Sequence, residues 1–200
     1  MQHGLSGRSP DSSIPDLARR AKLAAPALGL ADTTSKDSAL RAAADRLEAD
    51  VADILAANVD DLARGRADGM AAGVLDRLRL DEGRVVGMAS GLRQVAELDD
   101  PVGQTTAEWT RPNGLHMSKV RVPLGVVAII YENRPNVTSD AFGLCLKSGN
   151  VAFLRGSSSH VPRFRVESGR GTTPQWPRGV VALGDFAVQP ACNQLASLLL

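Results

Sequence analysis

The segment at residues 155–159, with the sequence RGSSS, combines groups that bind phosphate. Arg155 supplies a permanent cation, Gly156 permits close approach of backbone, and Ser157 begins a run of hydroxyl donors. An adenosine 2′-phosphate is a reasonable ligand for such a segment. A solvated loop after an edge strand has the same composition, however, and the pentapeptide alone favours that interpretation.

A second polar segment runs through Tyr131-Glu132-Asn133-Arg134-Pro135-Asn136. The amide of Asn136 can donate to a developing oxyanion, and Arg134 can hold a carboxylate or phosphate. Asparagine beside proline is also an ordinary way to end a strand and begin a helix. From the residues alone, the structural interpretation is the simpler one, although two polar segments near each other would strengthen the functional one.

Other reactive residue types give weaker signals. Cys145 lies on the apolar side of a short predicted helix, which favours a small core residue over a nucleophile. The histidines His3, His116 and His160 are scattered and support neither a metal site nor a catalytic triad. No metal is predicted.

The elements that would position these residues begin with helices over residues 15–98. Thr34 and Asp37 have capping-box spacing, and apolar residues from Leu40 to Leu62 recur every three or four positions, which predicts one long helix. A second long helix is predicted to begin at Asp81 and to end before Pro101.

Strand patterns follow from residue 104. Residues 104–122 predict a hairpin around Asn113-Gly114, and the apolar run 125–130 predicts a parallel strand covered on both faces, in the middle of a sheet. A helix over 138–147 and a strand over 151–154 complete a strand–helix–strand unit. Both polar segments then follow strand carboxyl ends, where open α/β sheets bind ligands.

Composition excludes several classes of function. The chain has 200 residues, 44% of them hydrophobic, and 23 basic side chains offset 22 acidic ones, so no electrostatic surface for nucleic acid or an anionic membrane is expected. No signal sequence or membrane-spanning stretch is apparent, and two unpatterned cysteines suggest a reducing compartment, so we expect a cytoplasmic protein.

Longer motifs resemble one family. The segments are ILAAN with DL at 54–62, LDRL at 75–78, DPVG at 100–103, VPLGVV at 122–127, IYENRPNVT at 130–138, and LKSGN to LRG at 146–156. Together they resemble γ-glutamyl phosphate reductase, a member of the aldehyde dehydrogenase superfamily. The match extends from about residue 15 to residue 159.

The resemblance implies an α/β fold, in which N-terminal helices and a partial Rossmann-like parallel sheet of the aldehyde dehydrogenase type carry a β-hairpin oligomerisation ribbon. It implies NADPH-dependent reduction of γ-glutamyl phosphate to glutamate 5-semialdehyde and phosphate in proline biosynthesis, by a homo-oligomer. A cysteine thiolate would form a thioester, which hydride from the cofactor releases as the aldehyde.

The resemblance also assigns site residues. Asn136 is the preferred oxyanion donor, with Asn133 as the alternative. The positions implied for NADP(H) are Tyr131, Glu132, Arg134, Pro135, Arg155, Gly156 and Ser157.

Domain organisation follows from where the match ends. Residues 1–14 are expected to be disordered, 15–159 to form the N-terminal part of the NADP-binding domain, and 160–200 to be an unrelated tail, which suggests a frameshift. The nucleophilic cysteine would then be absent, because Cys192 lies in that tail, and the chain would be inactive alone. The alternatives are a non-catalytic fragment that associates with itself or a full-length reductase, and a dehydrogenase relative with another acyl substrate.

Overall fold

A computed structural model describes residues 14–156, with the exception of residue 133. Its elements are α1 (Ile14–Gly29), α2 (Thr33–Ala49), α3 (Val51–Ala67), α4 (Ala72–Leu78), α5 (Glu82–Glu97), β1 (Thr105–Thr110), β2 (His116–Val120), β3 (Val126–Ile130), α6 (Asn136–Lys147) and β4 (Val151–Arg155). The mixed helix and sheet architecture is as predicted, and no helix of the described part is long and apolar enough to cross a membrane. The predictions for residues 1–13 and for the tail lie outside the described residues.

The start of α2 differs from the predicted capping box. Asp32 is the N-cap, and its Oδ1 accepts a hydrogen bond of 2.7 Å from the backbone N–H of Ser35. Asp37 is not used as a cap, because its carboxylate accepts a hydrogen bond from Lys147 Nζ at 2.6 Å. The prediction for α5 was right, since Asp81 Oδ1 accepts from the backbone N–H of Arg84 at 2.8 Å.

The prediction of a single long helix over Leu40 to Leu62 was wrong, because the helix is interrupted at Asp50. This residue ends α2 and precedes α3, with φ −101° and ψ 18°. Its carboxylate binds the guanidinium of Arg46. Aspartate is a weak helix former, so a short interruption costs little at this position. The apolar periodicity continues across the break and therefore hid it.

The core lies between α2, α5 and α6. Leu40, Leu47, Val85, Leu92 and Phe142 are all buried in one cluster. The approach of α5 and α6 is close: a Cβ on Gly143 would lie 2.8 Å from Leu92 Cδ2. This contact requires glycine or a local rearrangement.

Two buried lysines hold the helices together. Lys147 Nζ, at the end of α6, donates to Asp37 on α2 and, at 2.9 Å, to the backbone carbonyl of Ala96 on α5. Lys36 pairs with Asp100. Burial acts to raise the pKa of Asp100, but hydrogen bonds from Lys36, a backbone N–H and Thr33 outweigh it and lower that pKa below its ordinary value.

The hairpin was predicted correctly. Strands β1 and β2 are antiparallel, with Trp109 opposite Met117, and every residue of both strands is exposed. Gly114 has φ 85°, which glycine tolerates without strain, and Asn113 Oδ1 accepts a hydrogen bond of 3.2 Å from Leu115 N–H. Turn chemistry therefore sets the register of this ribbon.

Strands β3 and β4 form a parallel pair, joined by α6. The prediction that β3 is covered on both faces does not hold for the described residues, because its residues alternate between exposed and half-buried and Ile130 is 77% exposed. Val127 and Ile129 pack towards α6, in a cluster with Cys145. The more deeply buried strand is β4, which contacts both α1 and α6.

Candidate functional site

The two polar segments meet at one rim of the parallel pair. Ile130, the last residue of β3, lies opposite Arg155, the last residue of β4. The backbone N–H of Tyr131 then donates to the carbonyl of Arg155 at 3.0 Å. The structure thus brings together the first residues of the two segments, Tyr131 and Arg155, at adjacent strand ends as the sequence predicted.

Local hydrogen bonds shape the loop between β3 and α6. The hydroxyls of Tyr131 and Thr138 are 2.7 Å apart, and Thr138 is buried in the first turn of α6. The Arg134 N–H donates to the carbonyl of Glu132 at 2.7 Å, while both of these side chains are exposed. Pro135 is buried next to the start of α6. The loop is thus anchored at both ends, and its charged side chains, Glu132 and Arg134, are exposed to solvent.

Asn136 is the first residue of α6, and its side chain is exposed. Its Nδ2 donates to Asp140 Oδ2 at 3.2 Å, and its carbonyl accepts from Ser139 Oγ at 2.8 Å. An amide nitrogen has two N–H groups, so one remains for a ligand. Burial of the carboxyl raises the pKa of Asp140, which the hydrogen bond from Asn136 offsets in part.

The other rim segment is described only at its beginning. Arg155 is exposed and Gly156 is buried, whereas Ser157, and Asn133 of the first loop, lie outside the described residues. Asn150 aligns the two strands from their other end. Its Oδ1 accepts from the N–H of Gly125 at 2.9 Å, and its Nδ2 donates to the carbonyl of Ser148 at 3.1 Å.

A cleft of about 510 Å³ lies beside the first loop. Arg134, Asn136 and Asp140 line one part of it, and residues of the α4–α5 region, among them Arg77 and Arg84, line another. Sequence reasoning treated the α4–α5 region only as helix and loop and missed this wall. The signal was the density of arginines and aspartates in LDRLRLDEGR at residues 75–84.

Cys145 is a core residue, as predicted. It is 6% exposed, and burial raises the pKa of its thiol. A thiol that resists ionisation is a poor nucleophile. Within residues 14–156, residue 133 aside, no three or more His, Cys, Asp or Glu side chains are grouped so that they could hold a metal ion.

Comparison with known proteins finds relatives of about three quarters of the chain, although no family model matches it. Over 148 residues, 74% of its length, the chain is 53% identical to "Gamma-glutamyl phosphate reductase" of Paramagnetospirillum magneticum. It is 52% identical over 148 residues to the protein of the same name from Desulforamulus reducens. These 148 residues are homologous to gamma-glutamyl phosphate reductase. The chain spans about a third of the length of these relatives, 35% and 36% respectively.

Solved structures of gamma-glutamyl phosphate reductase agree with this relationship. The Thermotoga maritima protein superposes with a TM-score of 0.69 at 39% identity, over 72% of this chain and 35% of that one. The Saccharomyces cerevisiae protein gives a TM-score of 0.65 at 35% identity, over 70% of this chain and 36% of that one. The match to gamma-glutamyl phosphate reductase therefore extends from sequence to fold.

Proposed function

We propose that this chain carries the cofactor-side part of a reductase that converts γ-glutamyl phosphate to glutamate 5-semialdehyde with NADPH in proline biosynthesis. The observation that carries the proposal is the identity of 53% over 148 residues with a gamma-glutamyl phosphate reductase. We place this reaction in the cytoplasm. Within the reductase, residues 15–159 would form the N-terminal part of a Rossmann-like cofactor domain.

The rim formed by the two polar segments is the proposed NADP(H) site. Arg155, with Gly156 and Ser157, would bind the adenosine end, where a permanent cation suits the 2′-phosphate that distinguishes NADP from NAD. Because Ile130 lies opposite Arg155, the two segments begin at the same edge of the parallel pair, which supports the proposal. One cofactor could therefore contact both segments.

The loop would also face the reacting carbonyl. The free N–H of the Asn136 amide would donate to the oxyanion that develops when a thiolate attacks the acyl phosphate. Cys145 is unsuited to be that thiolate because it is buried and its pKa is raised. The other cysteine, Cys192, lies in the tail that does not resemble the family, so we expect the 200-residue chain to bind cofactor without turnover.

Titration of NADPH fluorescence tests the cofactor site in the chain as it stands. Arg155→Gln should weaken binding of NADPH about tenfold or more, since a charge-assisted hydrogen bond contributes about 1.5–3 kcal/mol. Arg66→Gln is the matched control, because Arg66 is exposed on α3 and belongs to neither polar segment. Equal affinity in both variants would refute the assignment of Arg155.

Activity is tested separately, by phosphate-dependent oxidation of glutamate 5-semialdehyde with NADP, the reverse reaction. The chain should be compared with a version in which the family sequence continues after Ser159. Activity in the extended protein alone agrees with the proposal. Turnover by the 200-residue chain would show that its nucleophile lies within these residues.

The exposed hairpin favours a second role, that of a ribbon through which the chain associates with itself or with a full-length reductase. Trp109 and Met117 lie opposite each other and are 44% and 39% exposed. Exposed paired apolar residues on a two-stranded ribbon are typical of contact surfaces. Sedimentation of the Trp109→Lys variant should show a smaller species than the parent chain, and unchanged sedimentation would refute this role.

A further inference from the structure

The cleft beside the first loop has an excess of positive charge. Four arginines line it, Arg77, Arg79, Arg84 and Arg134, against the two carboxylates of Asp76 and Asp140. Concave surfaces lined by one sign of charge concentrate field and attract ligands of the opposite sign. The cleft therefore favours an anion.

Two of these arginines are already used by the protein. Arg84 Nη1 donates to the backbone carbonyls of Asp76 and Arg79, each at 2.6 Å, and so ties the end of α4 to α5. Arg79 Nη2 donates to Asp76 Oδ1 at 3.1 Å. These contacts build the wall of the cleft and leave Asp76 neutralised.

The side chains of Arg77 and Arg134 differ from those of Arg79 and Arg84. Neither has a hydrogen-bond or ion-pair partner among the residues that the structure describes. Arg77 comes from the last turn of α4, and Arg134 from the loop after β3. Guanidinium groups stay charged at any physiological pH and bind carboxylates with two parallel hydrogen bonds. The same cleft thus contains two cations from separate elements that are available to a ligand.

Asp140 supplies a carboxylate on the wall that Arg134 and Asn136 also line. Its Oδ2 accepts only the single amide hydrogen bond from Asn136 at 3.2 Å among the bonds that the structure describes for it. A carboxylate can accept several more donors, such as an ammonium group. The cleft therefore offers both a cationic and an anionic contact.

We infer that this cleft binds the amino-acid end of the substrate, with its α-carboxylate held by Arg77 and Arg134 and its α-ammonium by Asp140. Because Arg134 lines this cleft, its side chain is assigned here to the substrate and not to the cofactor. The inference rests on the proposed function, because γ-glutamyl phosphate carries these two groups at the end away from the acyl phosphate. Asn136, shared between the cleft and the loop, marks where the reacting end would lie. A volume of about 510 Å³ is ample for a small amino acid and its waters.

Calorimetric titration of the 200-residue chain with L-glutamate and with glutarate tests the inference. Glutarate keeps both carboxylates but lacks the ammonium group. Arg77→Gln and Arg134→Gln should each weaken binding of both ligands about tenfold. Asp140→Asn should weaken L-glutamate about tenfold and leave glutarate unweakened, because only L-glutamate presents the ammonium.

Arg20→Gln is the control, because Arg20 is exposed on α1 and does not line the cleft. Binding of L-glutamate that is indifferent to Arg77→Gln and Arg134→Gln, or no binding at all, overturns the inference. NADPH titration of the same samples separates this result from failure of the proposed function, since a chain that binds NADPH but not L-glutamate contradicts the inference alone. Loss of NADPH binding with intact L-glutamate binding contradicts the cofactor site alone.

Discussion

Replacement of Gly143 by alanine tests how closely α5 and α6 pack. Elsewhere in a helix, alanine for glycine is favourable by about 0.5–1 kcal/mol, because glycine loses more backbone entropy on folding. At this position the new Cβ would lie 2.8 Å from Leu92 Cδ2 and 3.7 Å from Leu40 Cδ2. Both leucines are buried, so neither methyl can move freely.

Forcing a methyl group into a packed core costs about 1–3 kcal/mol. The propensity gain offsets part of this cost, so Gly143→Ala should lower the free energy of unfolding by up to about 2.5 kcal/mol. Gly91→Ala is the matched control, since Gly91 is also within a helix but a Cβ added there would have no atom of another residue within 4 Å beyond its own helical turn. That variant should raise the free energy of unfolding by about 0.5–1 kcal/mol.

Urea denaturation followed by circular dichroism measures both values, with the midpoint shifting and the slope unchanged. A double variant, Gly143→Ala with Leu92→Ala, adds a stricter test. If the two groups collide, the double variant should lose less stability than the sum of the single losses. Equal stability of Gly143→Ala and Gly91→Ala, or strict additivity in the double variant, would refute the packing argument.

Three further changes test other contacts. Asn58→Ala should lower the free energy of unfolding by about 2–4 kcal/mol in the same assay. Buried Asn58 donates to the backbone carbonyl of Leu78 at 2.9 Å and accepts from the backbone N–H of Leu80 at 2.7 Å, and both groups would lose their partner. Asp100 has a lowered pKa, so its ionised form stabilises the fold above its ordinary pKa of about 3.9, and that contribution is lost as the pH falls through the lowered value. Urea midpoints measured from pH 6 down to pH 3 should therefore fall less steeply in Asp100→Asn than in the parent, and parallel curves would contradict the pairing with Lys36. In a Cys192→Ser background, Cys145 should react with a maleimide much more slowly in buffer than in urea, because it is buried and its pKa is raised; rapid labelling in buffer would contradict the core assignment.

Local chemistry explains which features the sequence could predict. The start of α5 at Asp81 and the hairpin turn at Asn113-Gly114 were predicted correctly. Each of these features depends on neighbouring residues alone. The meeting of the two polar segments was also predictable, since parallel strands joined by a helix place their carboxyl ends at one edge.

Features that depend on distant partners were not predictable in this way. Asp37 has the spacing of a capping residue but binds Lys147, which is 110 positions further along the chain. The break at Asp50 leaves the apolar period unchanged, so periodicity could not reveal it. The arginines of the α4–α5 region line a cleft only because this region lies against the loop that contains Arg134.

The buried ammonium of Lys147 has a consequence for the order in which the chain folds. Its two partners, Asp37 and the carbonyl of Ala96, precede it by 110 and 51 residues and belong to α2 and α5. Burying the charge before these partners are in place would be costly. We therefore expect α2 and α5 to pair first, as they emerge first during synthesis, and to act as the template on which α6 and its two strands assemble. In this order, the rim where Tyr131 meets Arg155 is among the last parts of the segment to form.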